Sequence, residues 1–312
     1  MKAIVYTKQK SPDVLQLIDV EKPSPNDNEV LVKIIAVSAN AADYRSMKMG
    51  MIPKKKIFGA DIAGRVEAVG KNIRQFKPGD EVIGDLSGCG FGGFAQYAVA
   101  PEKVMIFKPA KISFEEAAAL PMAALTALQA LRNKGNIQNG SKVLIVGSGG
   151  GVGTFAVQIA KYFDAEVTAV CGTKNVAQTV SLGADRVIDY TKENFTKSSR
   201  RYDIIIAVNG NNPLSSYKRI LNPGGIYVMV GGALSQIFKS LLFGWLMSFG
   251  SKKMCSLAAK SNQKDLEFVV KLAAEGSIKP VIDRRYSLDE TANAMNYLSE
   301  GHARGKVVIH VD

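Results

Sequence analysis

The sequence predicts an α/β chain in two parts, a mostly-β, barrel-like region followed by a doubly wound parallel sheet. Three observations carry this expectation. Residues 1–110 hold short alternating or apolar runs separated by Pro-, Gly- and Asn/Asp-rich turns. From Lys142 onward, apolar runs alternate with segments of helical spacing. Between the two patterns lies Lys142–Asn175, KVLIVGSGGGVGTFAVQIAKYFDAEVTAVCGTKN, around which the rest of the chain is organised.

In that stretch Val143–Val146 has no polar alternation and reads as a strand buried on both faces. A glycine-rich turn from Gly147 to Gly153 follows, then a helix with Phe155, Ile159, Ala160 and Phe163 on one side, then a second strand at Val167–Cys171. Strand, glycine turn, helix and strand in this order is the dinucleotide-binding βαβ unit. Gly150, Gly151, Val152 and Gly153 are the residues expected to cradle a pyrophosphate, because the turn is tight and the helix N-terminus offers free N–H groups. Ser148 stands where the fingerprint usually has its first glycine. NAD-selective units place an acidic residue past the second strand to bind the ribose 2′-OH. Here the stretch reads Gly172, Thr173, Lys174 and Asn175, which suits a 2′-phosphate, so NADP(H) is the expected cofactor.

The chain has 312 residues, enough for two domains, and its 46% hydrophobic and 22% charged residues describe a globular protein. Three scattered cysteines build no disulfide framework. Met1–Tyr6 already reads as a first strand rather than a targeting signal, so a cytoplasmic location is the default expectation. The net charge of +12 could attract polyanions, but the densest cluster is only Lys54–Lys56. That dispersal argues against nucleic acid or a membrane as the main partner.

Taken in order, the expected strands of the first part are Ala3–Tyr6, Glu29–Val37, Gly64–Val69, Glu81–Ile83 and Tyr97–Ala100. Residues 113–134 turn helical, with Ser113 and Glu116 spaced as a capping box and Pro121 dividing the region in two. The second part adds strands at Val187–Ile188, Ile204–Val208 and Ile226–Val230, with helices around Thr154–Tyr162, Val176–Leu182 and Pro213–Leu221. Ile237–Gly250 is the most apolar stretch, holds the single tryptophan and is too short to span a bilayer. It reads as a core helix or dimer contact, with a substrate lid as the alternative. Helices at Leu266–Ala274 and from the Ser287–Glu290 cap to Leu298, then a strand at Lys306–Val311, close the chain.

Several stretches then match one pattern: Asn40–Asp43, Gly59–Gly70, Phe76–Val82, Gly93–Tyr97, Leu120–Ala127, the glycine turn, Leu182–Asp185 and Gly301–Val308. They resemble the medium-chain dehydrogenase/reductase superfamily, specifically its zinc-free quinone oxidoreductase-like branch. The resemblance implies a GroES-like catalytic domain over residues 1–122, completed by residues 262–312, and a Rossmann NADP-binding domain over 123–261. It also implies a homodimer. Zinc-dependent relatives need a Cys and a His–Glu pair in the first domain, whereas this chain has Asn40-Ala41-Ala42-Asp43 and Gly59-Ala60-Asp61, with two histidines in all. No metal is therefore expected. A quinone or α,β-unsaturated carbonyl suits a metal-free site, because it spreads the incoming charge as a quinol anion or enolate.

By the same resemblance Asn40, Asp43 and Tyr44 border the nicotinamide, with Asn40 orienting a carboxamide or carbonyl and Tyr44 donating a hydrogen bond or proton. Thr126, Asn209, Val230, Gly231 and Gly232 line its other side, Tyr190 stacks near the adenosine, and Arg304, Gly305 and Lys306 return to the cofactor. A zinc-free alcohol dehydrogenase or carbonyl reductase, and a non-catalytic NADPH sensor, are the competing functions.

Overall fold

Strands form in the first part where apolar side chains alternate or run together. The computed structural model describes residues 1–7, 14–232, 248 and 250–312. They form two units. The first comprises Met1–Leu125, Lys260–Gly276 and Pro280–Asp312, and the second Thr126–Ala259 with Ser277–Lys279. The first division thus falls a few residues beyond the expected one, and a short piece of the expected C-terminal tail groups with the second unit.

In the first unit, β1 (Lys2–Tyr6) and β2 (Leu15–Asp19) pair antiparallel. A larger sheet contains β3 (Glu29–Ala39), β4 (Asp61–Val69), β5 (Glu81–Asp85), β6 (Tyr97–Pro101) and β7 (Met105–Phe107). Two C-terminal strands, β14 (Ile282–Ser287) and β15 (Lys306–His310), join it to give the order β14-β15-β3-β4-β5-β7, with β6 also on β3. The two short strands β2 and β7 and the C-terminal β14 were not expected. β2 has one buried residue in five and so carries almost no hydrophobic signal. Helix α1 (Ala41–Lys48) leaves β3 directly, and α2 (Phe114–Ala119) opens with the Ser113–Glu116 capping box. Pro121 starts α3 (Pro121–Leu128) at a position where its missing N–H has no helical partner to lose.

The second unit is a six-stranded sheet in the order β10-β9-β8-β11-β12-β13, with every pairing parallel. Its strands are β8 (Lys142–Val146), β9 (Glu166–Cys171), β10 (Arg186–Asp189), β11 (Tyr202–Ala207), β12 (Leu221–Met229) and β13 (Lys253–Ser256). Helices α4 (Gly151–Tyr162), α5 (Val176–Ser181) and α6 (Leu214–Arg219) form the crossovers between strands. β13 is an addition to the expected five strands. Helix α4 follows the glycine turn and is buried from Gly153 to Ala160, so Phe155 and Ile159 each contribute about 1.5–3 kcal/mol by leaving water. Chain order reverses between β8 and β11, and in such sheets ligands bind outside the carboxyl ends of the strands at that reversal. Two helices of the first unit, α7 (Gln263–Ala274) and α8 (Thr291–Ser299), complete the described elements. Of Ile237–Gly250, only Ser248 and Gly250 lie among the described residues. No helix among these is long and apolar enough to cross a membrane.

Candidate active site and cofactor cradle

At the end of β3 the chain gathers a buried polar cluster. Asn40 precedes α1, Asp43 lies in its first turn, Asp61 opens β4, Asp85 ends β5 and Lys306 opens β15; all five are buried. Asp61 and Asp85 face each other as cross-strand partners, an arrangement of like charges that needs a counter-ion. Lys306 supplies it, with Nζ 3.6 Å from Asp61 Oδ2 while it donates a hydrogen bond to Asn40 Oδ1. The Asn40 amide nitrogen donates to Asp61 Oδ2 at 2.9 Å and to the Ser38 carbonyl at 3.2 Å. Asp61 Oδ1 accepts the Met122 N–H at 3.1 Å.

This network gives three of the expected site residues structural partners. Both hydrogens of the Asn40 amide are committed to Ser38 and Asp61, so Asn40 does not offer a donor to a substrate carbonyl. Asp43 accepts the Asn40 N–H at 2.8 Å and the Gly59 N–H at 3.2 Å, which makes it the third-position partner in the capping box that Asn40 opens, and a tie to the segment before β4. Lys306 is only 3% exposed and turned inward, so it belongs to this cluster. Of the first-domain candidates, Tyr44 alone keeps a side chain uncommitted to the network, half-buried against the hydrophobic core. Burial pushes Asp43 up to about 6 and Asp61 up to about 7, the Lys306 charge opposing the rise at both. Burial in turn lowers Lys306. Arg304 and Gly305 form the turn into β15. The Arg304 backbone N–H donates to Asp283, and a side chain on Gly305 would meet the Val281 carbonyl oxygen at 2.3 Å.

In the second unit the glycine turn is closed tightly on one side and open on the other. A Cβ on Gly153 would lie 2.1 Å from the Gly147 carbonyl oxygen, and one on Gly149 would lie 2.4 Å from the Asn175 side chain. Gly147 has φ +89° and sits 3.0 Å from Asn209 by the same measure. Above Gly150, in contrast, the nearest atom is 3.9 Å away. No side chain caps α4 at Gly150, so the first-turn N–H groups of Gly151, Val152 and Gly153 point out of the helix without intrahelical acceptors. An exposed backbone at a helix N-terminus fits a pyrophosphate. Ser148 replaces the fingerprint glycine without conflict, because it is buried and its hydroxyl donates to the Val170 carbonyl at 3.2 Å.

The other predicted cofactor residues of this unit, Thr126 apart, follow the carboxyl ends of these strands. Asn209 follows β11 and donates its N–H to Val146. Val230 and Gly231 donate theirs to Ala207, and Gly232 bridges Gly210. Thr126 is buried within α3. Gly172–Asn175 follow β9, and the Tyr190 hydroxyl lies 3.2 Å from where a Gly172 side chain would begin. Tyr190 is 62% exposed, leaving a ring free to stack. Lys174 is exposed and forms no ion pair among the described residues. The Thr173 hydroxyl, however, is spent: it donates to Asp189 Oδ2 at 2.6 Å. Asp189 was not among the expected residues. It arrives from the end of β10, paired in register with Cys171, and the fingerprint looks for its acidic residue one strand earlier.

Among the described residues, no group of three or more His, Cys, Asp or Glu side chains could hold a metal ion. Cys89, Cys171 and Cys255 are free and scattered, and His310 lies beside Glu115 at 2.8 Å.

Two family models match the chain: an alcohol dehydrogenase GroES-like domain over residues 26–110 and a zinc-binding dehydrogenase over residues 182–309. The chloroplast envelope quinone oxidoreductase homolog of Arabidopsis thaliana is 37% identical, over 95% of this chain and 93% of its own length. An NADPH-dependent alkenal/one oxidoreductase of the same organism is 31% identical, over 99% of this chain and 79% of its own length. The solved quinone oxidoreductase from Coxiella burnetii superposes with a TM-score of 0.90 at 30% identity, covering 100% of this chain and 99% of that one. Its two large sheets, its glycine turn and these likenesses make the chain an oxidoreductase of the medium-chain dehydrogenase/reductase superfamily, in the quinone oxidoreductase-like branch.

Proposed function

We propose that the chain is an NADPH-dependent, zinc-independent reductase of quinones or α,β-unsaturated carbonyls. The observation that carries this reading is the open glycine backbone at the start of α4, followed past β9 by the exposed Lys174, which forms no ion pair among the described residues. The names of its relatives, quinone oxidoreductase and NADPH-dependent alkenal/one oxidoreductase, support the same acceptor class and cofactor. Zinc independence is supported by the donor set. Two histidines and three dispersed cysteines do not make a tetrahedral site, and the buried carboxylate cluster at the end of β3 already holds the Lys306 ammonium.

Bound in the cradle, the cofactor would supply a hydride; with one proton it converts a quinone to a hydroquinone, or an enone to a saturated carbonyl. The N–H groups of Gly151 and Val152 would meet the pyrophosphate charge, Lys174 the 2′-phosphate and the Tyr190 ring the adenosine. Tyr44 would donate a proton to the oxygen on which charge develops. An acceptor that spreads this charge over a conjugated system needs no metal to polarise it, so a phenol donor suffices.

Replacing Tyr44 with Phe keeps the packing and removes the donor. The expected result is a fall in kcat for a quinone of about 10²-fold or more, in the range of lost general-acid catalysis, with NADPH affinity retained. Parent-like kcat in Y44F would remove Tyr44 from the mechanism.

A further inference from the structure

The fingerprint corner of the second unit holds a carboxylate that its sequence conceals. Asp189 ends β10, directly beside Cys171 at the end of β9, and its side chain is only 12% exposed. Oδ2 accepts the Thr173 hydroxyl at 2.6 Å, and Oδ1 accepts the Thr191 hydroxyl at 2.8 Å and the Thr191 N–H at 3.0 Å. Lys192 is its nearest cation, at 3.9 Å. The Thr173 hydrogen bond, first among these contacts, holds the carboxyl below the usual range, so it is ionised at neutral pH. Thr173 stands between Gly172 and Lys174, the residues read above as the seat of the adenosine ribose.

We propose that Asp189 is a cofactor-selectivity residue that opposes the 2′-phosphate and so narrows the preference for NADPH over NADH. The inference rests on the reading of Gly172–Asn175 as the ribose seat. Two opposite charges then act on one phosphate: Lys174 attracts it, while Asp189 repels it and also holds the only hydrogen that the Thr173 hydroxyl could donate to it. A 2′-hydroxyl feels neither charge strongly and can itself donate to a carboxylate, as in NAD-selective units. The carboxylate comes from the strand neighbouring the one the fingerprint uses, so its effect is electrostatic and modest.

The test is the dissociation constant of NADPH and of NADH, read by fluorescence titration without substrate, for the parent, Asp189→Asn and Lys174→Gln. Asn keeps an acceptor for Thr173 and Thr191 while removing the charge. In D189N, NADPH should bind about three- to tenfold more tightly, the size of one unit charge acting on a phosphate across a few ångströms of wet surface. NADH should bind no more tightly than in the parent, and the gain should shrink at high salt. In K174Q the ratio should move the other way. If K174Q shifts the ratio and D189N leaves it unchanged, or weakens NADPH, the role given to Asp189 is overturned while the ribose seat stands. If neither variant moves the ratio, the seat is misplaced and the inference falls with it.

Discussion

Alanine at Gly153 is expected to cripple cofactor binding, although it adds only one methyl group. That methyl would begin 2.1 Å from the Gly147 carbonyl oxygen and 2.7 Å from the Ser148 Cα, both backbone atoms that cannot swing away as a flexible side chain would. The turn must open, and with it the fit of the α4 N-terminus against the end of β8. Forced overpacking of this kind costs about 1–3 kcal/mol or more. If most of that is lost from binding, NADPH affinity falls about 10- to 100-fold, read by fluorescence titration. Gly150 provides the contrast on the same turn, with nothing nearer than 3.9 Å. An alanine there leaves the apo fold intact. Parent-like NADPH affinity in G153A would refute the assignment of this turn as the cradle.

Methionine at Lys306 is the second large effect, and it appears in stability. It leaves Asp61, fully buried and faced by Asp85, without its ammonium. Breaking a buried pair from one side costs about 3–5 kcal/mol, because the remaining charge keeps its hydrogen bonds from Asn40 and Met122 but has neither water nor a counter-ion. The loss should depend on pH with a definite sign. Burial pushes the Asp61 carboxyl up from 3.8 to about 7, so the folded state holds the proton more tightly. Its contribution is greatest below the unfolded value and is lost as pH rises through the folded one. Without Lys306 the folded value climbs further. The deficit of K306M in urea unfolding should therefore be small near pH 5 and large near pH 8, and Asp61→Asn in the same chain should recover most of it at pH 8. An equal deficit at both pH values would contradict the charge assignment.

The legible parts of the sequence were those with strong local signals. The glycine turn, the buried run Val143–Val146 and the Ser113–Glu116 cap all specify their structure within a few residues. β2 was missed because one face of a two-stranded ribbon leaves four of five side chains in water. At the site, the roles of Asn40, Asp43 and Lys306 depended on partners far away in sequence, and Asn40 meets Lys306 across 266 positions. A faint signal was available: Asp61 and Lys306 stand directly before the apolar runs Ile62–Ala63 and Val307–Ile309, where a buried charge requires a partner. Asp189 was hidden because the fingerprint concerns β9, whereas the parallel register brings β10 to the same place.

The proposed function is the reduction of conjugated carbonyl acceptors with NADPH and without zinc. Its most direct test is the loss of nicotinamide absorbance with a benzoquinone, a 2-alkenal and a simple ketone, using NADPH or NADH, before and after exhaustive chelation. Turnover of the quinone or the alkenal is expected, faster with NADPH and unchanged by chelation. Turnover of the ketone alone, or activity that chelation abolishes and zinc restores, would contradict it.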